Sequence, residues 1–130
     1  MRIQMKEGLP FVSATVAFQG RSATLANMLL DTGSAGTLLS ADRLLHIGVQ
    51  FEPQDPVRRV RGVGGAEFVF VKRAEHIALG ELLARDFSIE VGAMDYGFEL
   101  DGIIGTDFLV QIGAIIDLAN FETRGASAPR

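Results

Sequence analysis

The chain of 130 residues has no cysteine, which excludes disulfide scaffolds, iron–sulfur clusters and cysteine-ligated zinc. Positive charge is not in excess either. Twelve Lys and Arg stand against 16 Asp and Glu, a formal net charge of −4, so there is no general basic field for nucleic acid. Long apolar runs are missing: the longest uncharged stretch, Gly8 to Gly20, has 13 residues and contains Pro10, Ser13, Thr15 and Gln19. A membrane-spanning helix needs about 20 mainly apolar residues, so no span is expected. The start, MRIQMKEGLP, carries Arg2, Lys6 and Glu7 without a continuous apolar run and does not read as a signal peptide. Charged residues are only 22% against 48% hydrophobic, which excludes a disordered tail or linker. The absence of cysteine fits either redox compartment, so the sequence assigns no location and the expectation is simply a soluble chain.

What remains is one domain, residues 1–130, long enough to bury a real core. Its 15 glycines punctuate short β-prone runs, the pattern of an all-β chain with tight turns. Phe11–Phe18 and Ala23–Leu30 read as strands around a Gln19-Gly20-Arg21 turn, and Thr37–Leu39 as a short strand. Ala41–His46 reads as a turn or two of helix, with Ser40 as N-cap and Gly48 just beyond. Phe51–Val60 and Glu67–Lys72 read as a long hairpin with glycines at its tip. His76–Leu79 and Phe87–Val91 flank a Gly80-Glu81 turn. Thr106–Ile112 reads as a short helix capped by Thr106, Ala114–Leu118 as the last strand, and ASAPR as a frayed end. There is a faint internal echo: Val16 and Phe18 before Gly20 recur as Ile77 and Leu79 before Gly80.

Three stretches draw attention as chemistry. In Met28-Leu29-Leu30-Asp31-Thr32-Gly33-Ser34 a carboxylate directly follows an apolar strand, where desolvation penalises its charge. Such an acid needs donors close by, and Gly33 and Ser34 offer an unobstructed N–H and a hydroxyl. Read alone, Asp-Thr-Gly also suits an ordinary turn. Asp101-Gly102-Ile103-Ile104-Gly105-Thr106-Asp107 leads two apolar residues and a glycine into a helix, and alone is an ordinary strand–helix junction. Between them lies Arg61-Gly62-Val63-Gly64-Gly65, alone a surface hairpin.

In this order and spacing, from about residue 11 to 121, the three resemble the retropepsin-like aspartic proteases, the single-domain form of that family, with Leu29-Leu30-Asp31-Thr32-Gly33-Ser34, the glycine hairpin and Ile103-Ile104-Gly105 in the family's positions. Retroviral members usually carry an acidic residue two places after the Asp-Thr-Gly glycine and an Arg after the apolar-apolar-Gly. Ala35 and Thr106 stand at those places here, so that salt link is not expected, and the chain looks more like cellular and bacterial members. The resemblance implies an all-β acid protease barrel with a flap hairpin and one short C-terminal helix. It implies Asp31 as the catalytic residue. Thr32, Gly33 and Ser34 would support the active-site loop, Gly62, Val63, Gly64 and Gly65 would close as a flap over an extended peptide or protein substrate, and Ile103, Ile104 and Gly105 would form the second motif. No cofactor or metal is implied.

Aspartic chemistry needs two carboxyls facing one water, which share a proton and titrate as a unit. One Asp-Thr-Gly is present, and Asp101, Asp107 and Asp117 lack its context, so a homodimer sharing an Asp31 dyad is the economical expectation. The resemblance implies termini paired in a shared sheet, which the sequence itself does not show. The rival readings are a domain of this type that dimerises or holds a peptide without cutting it, and a structural β-rich domain. Other motifs fail. Gly62–Glu67 lacks the last glycine of a dinucleotide loop. Thr32 stands where a serine nucleophile elbow needs glycine, and His46 and His76 lack ligand spacing. Arg58, Arg59 and Arg61 read as a solvated hairpin face whose charge beside the flap would favour acidic substrates.

Overall fold

The computed structural model describes residues 1–62, 65–94 and 99–126, with the backbone alone for 61, 62 and 65–67. Strands β1 (Gln4–Lys6), β2 (Leu9–Phe18) and β3 (Arg21–Leu30) form an antiparallel meander. Gln19 and Gly20 both have positive φ, +48° and +81°, the hand that suits a two-residue hairpin turn. Then come β4 (Leu38–Ser40), helix α1 (Ala41–Leu44) and a 3-10 turn (Leu45–Ile47). Ser40 caps α1 as expected, its hydroxyl accepting from Arg43 N at 3.4 Å, and Gly48 closes the turn at φ +87°.

β5 (Val57–Gly62) and β6 (Gly65–Leu79) make the expected hairpin, and β7 (Leu82–Gly92) returns along β6. Two boundaries differ from expectation. Residues 51–56 are a loop, because Pro53 and Pro56 have no N–H to offer a ladder and the side chains of the segment bond elsewhere. The runs Glu67–Lys72 and His76–Leu79 belong to one continuous 15-residue strand. After β8 (Gly102–Ile104) comes α2 (Thr106–Gln111), then a hairpin of β9 (Ala114–Asp117) and β10 (Glu122–Gly125). The N-cap of α2 is Gly105, one residue before the expected Thr106. The termini pair within the chain: Ile3 N donates to Phe121 O at 2.8 Å and Thr123 N to Met1 O at 2.7 Å.

The main sheet has eight strands in the order β1-β2-β3-β8-β4-β7-β6-β5, and a further pairing of β2 with β6 closes it into a barrel. That closing seam joins the two echoed segments, with Val16 opposite Ile77. The interior is filled by Met28, Leu39, Leu44, Ile77, Ile89, Ile104 and Phe108, all essentially inaccessible, with Phe108 edge-on to Phe87 at 5.6 Å. Among the described residues no helix is long and apolar enough to cross a membrane.

One irregularity in β3 decides where its end points. Ala23 and Leu25 are buried at odd positions, but Met28 and Leu30 at even ones. The register with β2 jumps between Val12↔Met28 and Ala14↔Leu25, so β3 contributes an extra residue there. Such a bulge reverses the side-chain alternation beyond it. Without it Leu30 would face out and Asp31 inward; with it Leu30 fills the core and Asp31 is half-exposed.

Candidate active site

Asp31 follows β3 directly, and its N–H donates to Ile104 O at 3.0 Å, extending the parallel pairing of β3 with β8. On its other edge β8 pairs antiparallel with β4, Leu38 opposite Ile103 and Leu39 opposite Gly102. β8 is therefore inserted between the strand that enters the Asp31 loop and the strand that leaves it. Ile103 and Ile104 thus lie alongside Asp31 although far from it in sequence. The Asp31 motif and the second motif meet through backbone pairing.

Within the loop Gly33 N donates to the Asp31 carboxylate at 2.9 Å, and Ser34 N to Asp31 O at 3.1 Å. The Ser34 hydroxyl donates to Gly36 O at 2.8 Å, so it braces the loop and does not bond the carboxylate. Thr32 and Gly33 are exposed in the single chain. The second motif locks onto the loop from below. Thr106 N donates to Ser34 O at 2.8 Å and Thr106 Oγ1 to the same oxygen at 3.2 Å, while Asp107 N donates to Ala35 O at 3.3 Å. Gly105 permits this contact: a Cβ there would lie 2.6 Å from Gly36 C, closer still to Gly36 O, and 2.9 Å from Ser34 O.

A model of a family described as aspartyl protease matches residues 13–108. The chain belongs to the aspartyl protease family. No curated protein matches it. The matched span begins in β2, contains the Asp31 loop and β8, and ends at Phe108, the third residue of α2 and the first of its buried pair.

Two residues that motif reading left aside prove central to this aspartyl protease loop. Thr37 is fully buried; its hydroxyl donates to Asp107 Oδ1 at 2.8 Å and accepts from Gly105 N at 3.1 Å. Asp107 also accepts from Thr37 N at 3.2 Å and from Phe108 N at 2.8 Å. Its place at a helix start is as expected, but its main partner is across the loop. The sequence hint is slight: a hydroxyl opening the apolar run Leu38-Leu39. Asp101 is buried, accepts from Asn27 N at 3.0 Å through Oδ2, and sets Oδ1 against Arg43 Nε at 2.9 Å, a charge contact without an aligned hydrogen bond. Asp117 is held by Asn120 and Arg124 in the β9–β10 hairpin. Hydrogen bonds from the Asn120 side chain and backbone, then from Arg124, lower the Asp117 carboxyl to about 2.

Of the expected flap, Gly62 and Gly65 pair at the end of the β5–β6 ladder, and Val63 and Gly64 lie outside the described residues. β6 joins β7 only from Phe70 onward, so the hairpin leaves the barrel at that point. Arg58 and Val69 are cross-strand partners on one face, Val69 buried; Arg59 and Phe68 share the other and are exposed. The loop at the hairpin's base is pinned by Lys72, whose buried ammonium lies 2.6 Å from Glu52 and 2.8 Å from Asp55. Burial works against this charge, but the hydrogen bonds and charges of Asp55 and Glu52 outweigh it and raise the lysine above its ordinary value. The same hydrogen bonds from Lys72 hold both carboxyls below theirs. His46 lies in the 3-10 turn and His76 within β6.

Proposed function

We propose that the protein is an aspartic endopeptidase whose active form is a homodimer, each chain supplying one Asp31. The observation that carries this reading is the fate of the other aspartates around the loop. Asp107 packs against the loop and Asp101 stands at the opposite end of β8, and both are committed to structural bonds, as is Asp117 in its hairpin. The half-exposed Asp31, flanked by exposed Thr32 and Gly33, is left as the carboxylate available at the loop's surface. Two such loops meeting on a two-fold axis place two carboxyls on one water.

The ionised member then takes a proton from the water while the protonated member donates to the scissile carbonyl. The water oxygen bonds to the carbonyl carbon, and the tetrahedral intermediate then breaks its C–N bond as the nitrogen takes the proton the dyad received from water, giving an amine and an acid. In each loop the Gly33 N–H fixes the carboxylate's rotamer, and the hydrogen bonds from Thr106 and Asp107 fix the loop on β8 and α2. The β5–β6 hairpin, whose tip-ward end before Phe70 is not paired with β7, closes over the extended substrate as a flap.

The test is to mix wild-type chains with an equal amount of Asp31→Asn chains and allow full exchange. The amide is nearly isosteric but cannot accept the water's proton, so Asp31→Asn folds as wild type and cleaves nothing. Compared with the same total amount of wild-type chain, random pairing leaves about one quarter of the activity, whereas independent monomers keep about one half. Activity near one half, with exchange verified by a mass-tagged chain, rules out the shared dyad.

A further inference from the structure

A cavity of about 260 Å³ opens between the Asp31 loop and the base of the β5–β6 hairpin, with Ala35, Gly36, Arg58, Ser88, Glu90 and Asp107 in its wall. It is smaller than the roughly 300–1,000 Å³ of a pocket for a whole small ligand and suits a single side chain. Its two carboxylates differ in what they have left to offer. Asp107 is occupied by Thr37 and the Phe108 N–H.

Glu90 is held rigidly by its backbone: it pairs with Leu38 in the β4–β7 ladder, and its N–H donates to Thr37 O at 2.9 Å. Its side chain is only 15% exposed and lies against Gly36, where a Cβ would come within 2.6 Å of Oε1. Gly36 thus makes the room in which the carboxylate sits at the foot of the active-site loop. The partner of Glu90 is of the opposite kind. Arg58 is 61% exposed, stands on the hairpin, and reaches Glu90 Oε2 at 3.5 Å, the outer limit of a hydrogen bond. A fixed, mostly desolvated anion is therefore matched with a loosely held, solvated cation.

We infer that Glu90 is a specificity-determining residue that receives a lysine or arginine side chain of the extended peptide substrate, Arg58 holding that place in the free chain. This rests on the peptidase reading for cleavage, but not for binding. A substrate cation replaces Arg58 at a closer distance and leaves Arg58 free to return to water, where an exposed pair of this kind loses little. A neutral side chain in the cavity separates Glu90 from Arg58 and leaves a buried charge unmatched. An acidic one meets both Glu90 and Asp107. Arg58 does not by itself make the site basic, because its charge is already matched by Glu90.

The test uses the full-length Asp31→Asn protein and fluorescent peptides in which Lys, Gln or Glu is moved along an otherwise uncharged sequence, with affinity read by anisotropy. At one peptide position Lys binds at least about tenfold tighter than Gln, about 1.4 kcal/mol, and Glu binds weakest. Adding Glu90→Gln removes the Lys preference. Arg58→Ala, on an exposed strand position, strengthens Lys binding, because no resident cation has to be displaced, and keeps Lys preferred over Gln. That second variant decides the matter even if Glu90→Gln fails to fold. The idea is overturned if no position prefers Lys, if no peptide binds, if the preference survives Glu90→Gln, or if Arg58→Ala weakens Lys binding. Cleavage by the wild-type chain is scored separately on the same peptides. Lys-selective binding without cleavage sinks the peptidase reading and supports Glu90, and cleavage without Lys selectivity does the reverse.

Discussion

Replacing Gly105 by alanine adds one methyl group at the point where α2 meets the Asp31 loop. The backbone there, φ −94° and ψ 179°, is comfortable for any residue, so the effect is purely one of space. The new Cβ would lie 2.6 Å from Gly36 C and 2.9 Å from Ser34 O, where carbon contacts settle near about 3.5 Å. Both neighbours are backbone, so relief requires the loop to move by about 1 Å or the start of α2 to withdraw, and either strains the Thr106 and Asp107 hydrogen bonds to Ser34 and Ala35. Overpacking of this kind costs about 1–3 kcal/mol, and two weakened hydrogen bonds add about 1 kcal/mol each. A loss of about 3–5 kcal/mol is expected from urea denaturation, with unchanged dependence on denaturant. In conditions where the variant remains folded, a loop displaced by about 1 Å lowers peptide cleavage by about 100-fold. Gly36→Ala is the contrast: it adds the same methyl to the same loop, but against the Glu90 carboxylate and not against backbone, so its cost falls on Glu90 and the Thr106 and Asp107 hydrogen bonds stay in place. A Gly105→Ala protein within about 1 kcal/mol of wild type and fully active would refute the claim that this contact sets the loop.

Acid sensitivity should localise to the C-terminal hairpin through Asp117, whose carboxyl is lowered from 3.8 to about 2 by Asn120 and Arg124. A depressed carboxyl stabilises the fold above its unfolded value and loses that contribution as pH falls through the folded one. The stability gap between wild type and Asp117→Asn is therefore full above about pH 4 and closes toward pH 2; a gap independent of pH contradicts the assignment. Lys72→Met frees the loop 51–56, because Glu52 and Asp55 lose the cation that joins them. Amide exchange at Val71, whose N–H donates to Pro56 O, and at Asp55, whose N–H donates to Glu52 O, then accelerates while that of β2 is unchanged; protection unaltered at both sites means the loop stands without its lysine.

Local chemistry was legible where one residue type decides it. Ser40 caps α1, Gly20 and Gly80 place two hairpins, and Asp-Thr-Gly and Ile-Ile-Gly mark the segments that β8 brings together. What escaped depends on distant partners. β1 and β10 are short, with β1 exposed throughout, and carry no alternation to betray them; they exist because β2 and β9 offer edges. Residues 51–56 look strand-like until the two prolines and the pull of Lys72 are counted. The bulge in β3 leaves a trace, the three-residue step from Leu25 to Met28 among buried positions, but only the pairing with β2 shows which strand carries the extra residue. Thr37 and Glu90 are silent in sequence, since their importance comes from what lies opposite them.

The insertion of β8 between β3 and β4 also orders events in time. Asn27 and Asp101, which bond each other where β8 begins its pairing with β3, are 74 residues apart. At about 5–20 residues per second, a ribosome delivers the second about 4–15 s after the first. During that interval the meander β1–β3 and the hairpins of β5–β7 have their local partners, but the Asp31 loop lacks the strand that receives its first N–H and the glycine on which it rests. The loop consequently takes shape late, and a nascent chain carries Asp31 in an unformed setting until β8 and the start of α2 emerge. The same gap leaves β3 and β4 as two facing open edges, so chains truncated before Gly102 should be captured by chaperones or self-associate, whereas chains that lose only the end of β10 keep the slot filled.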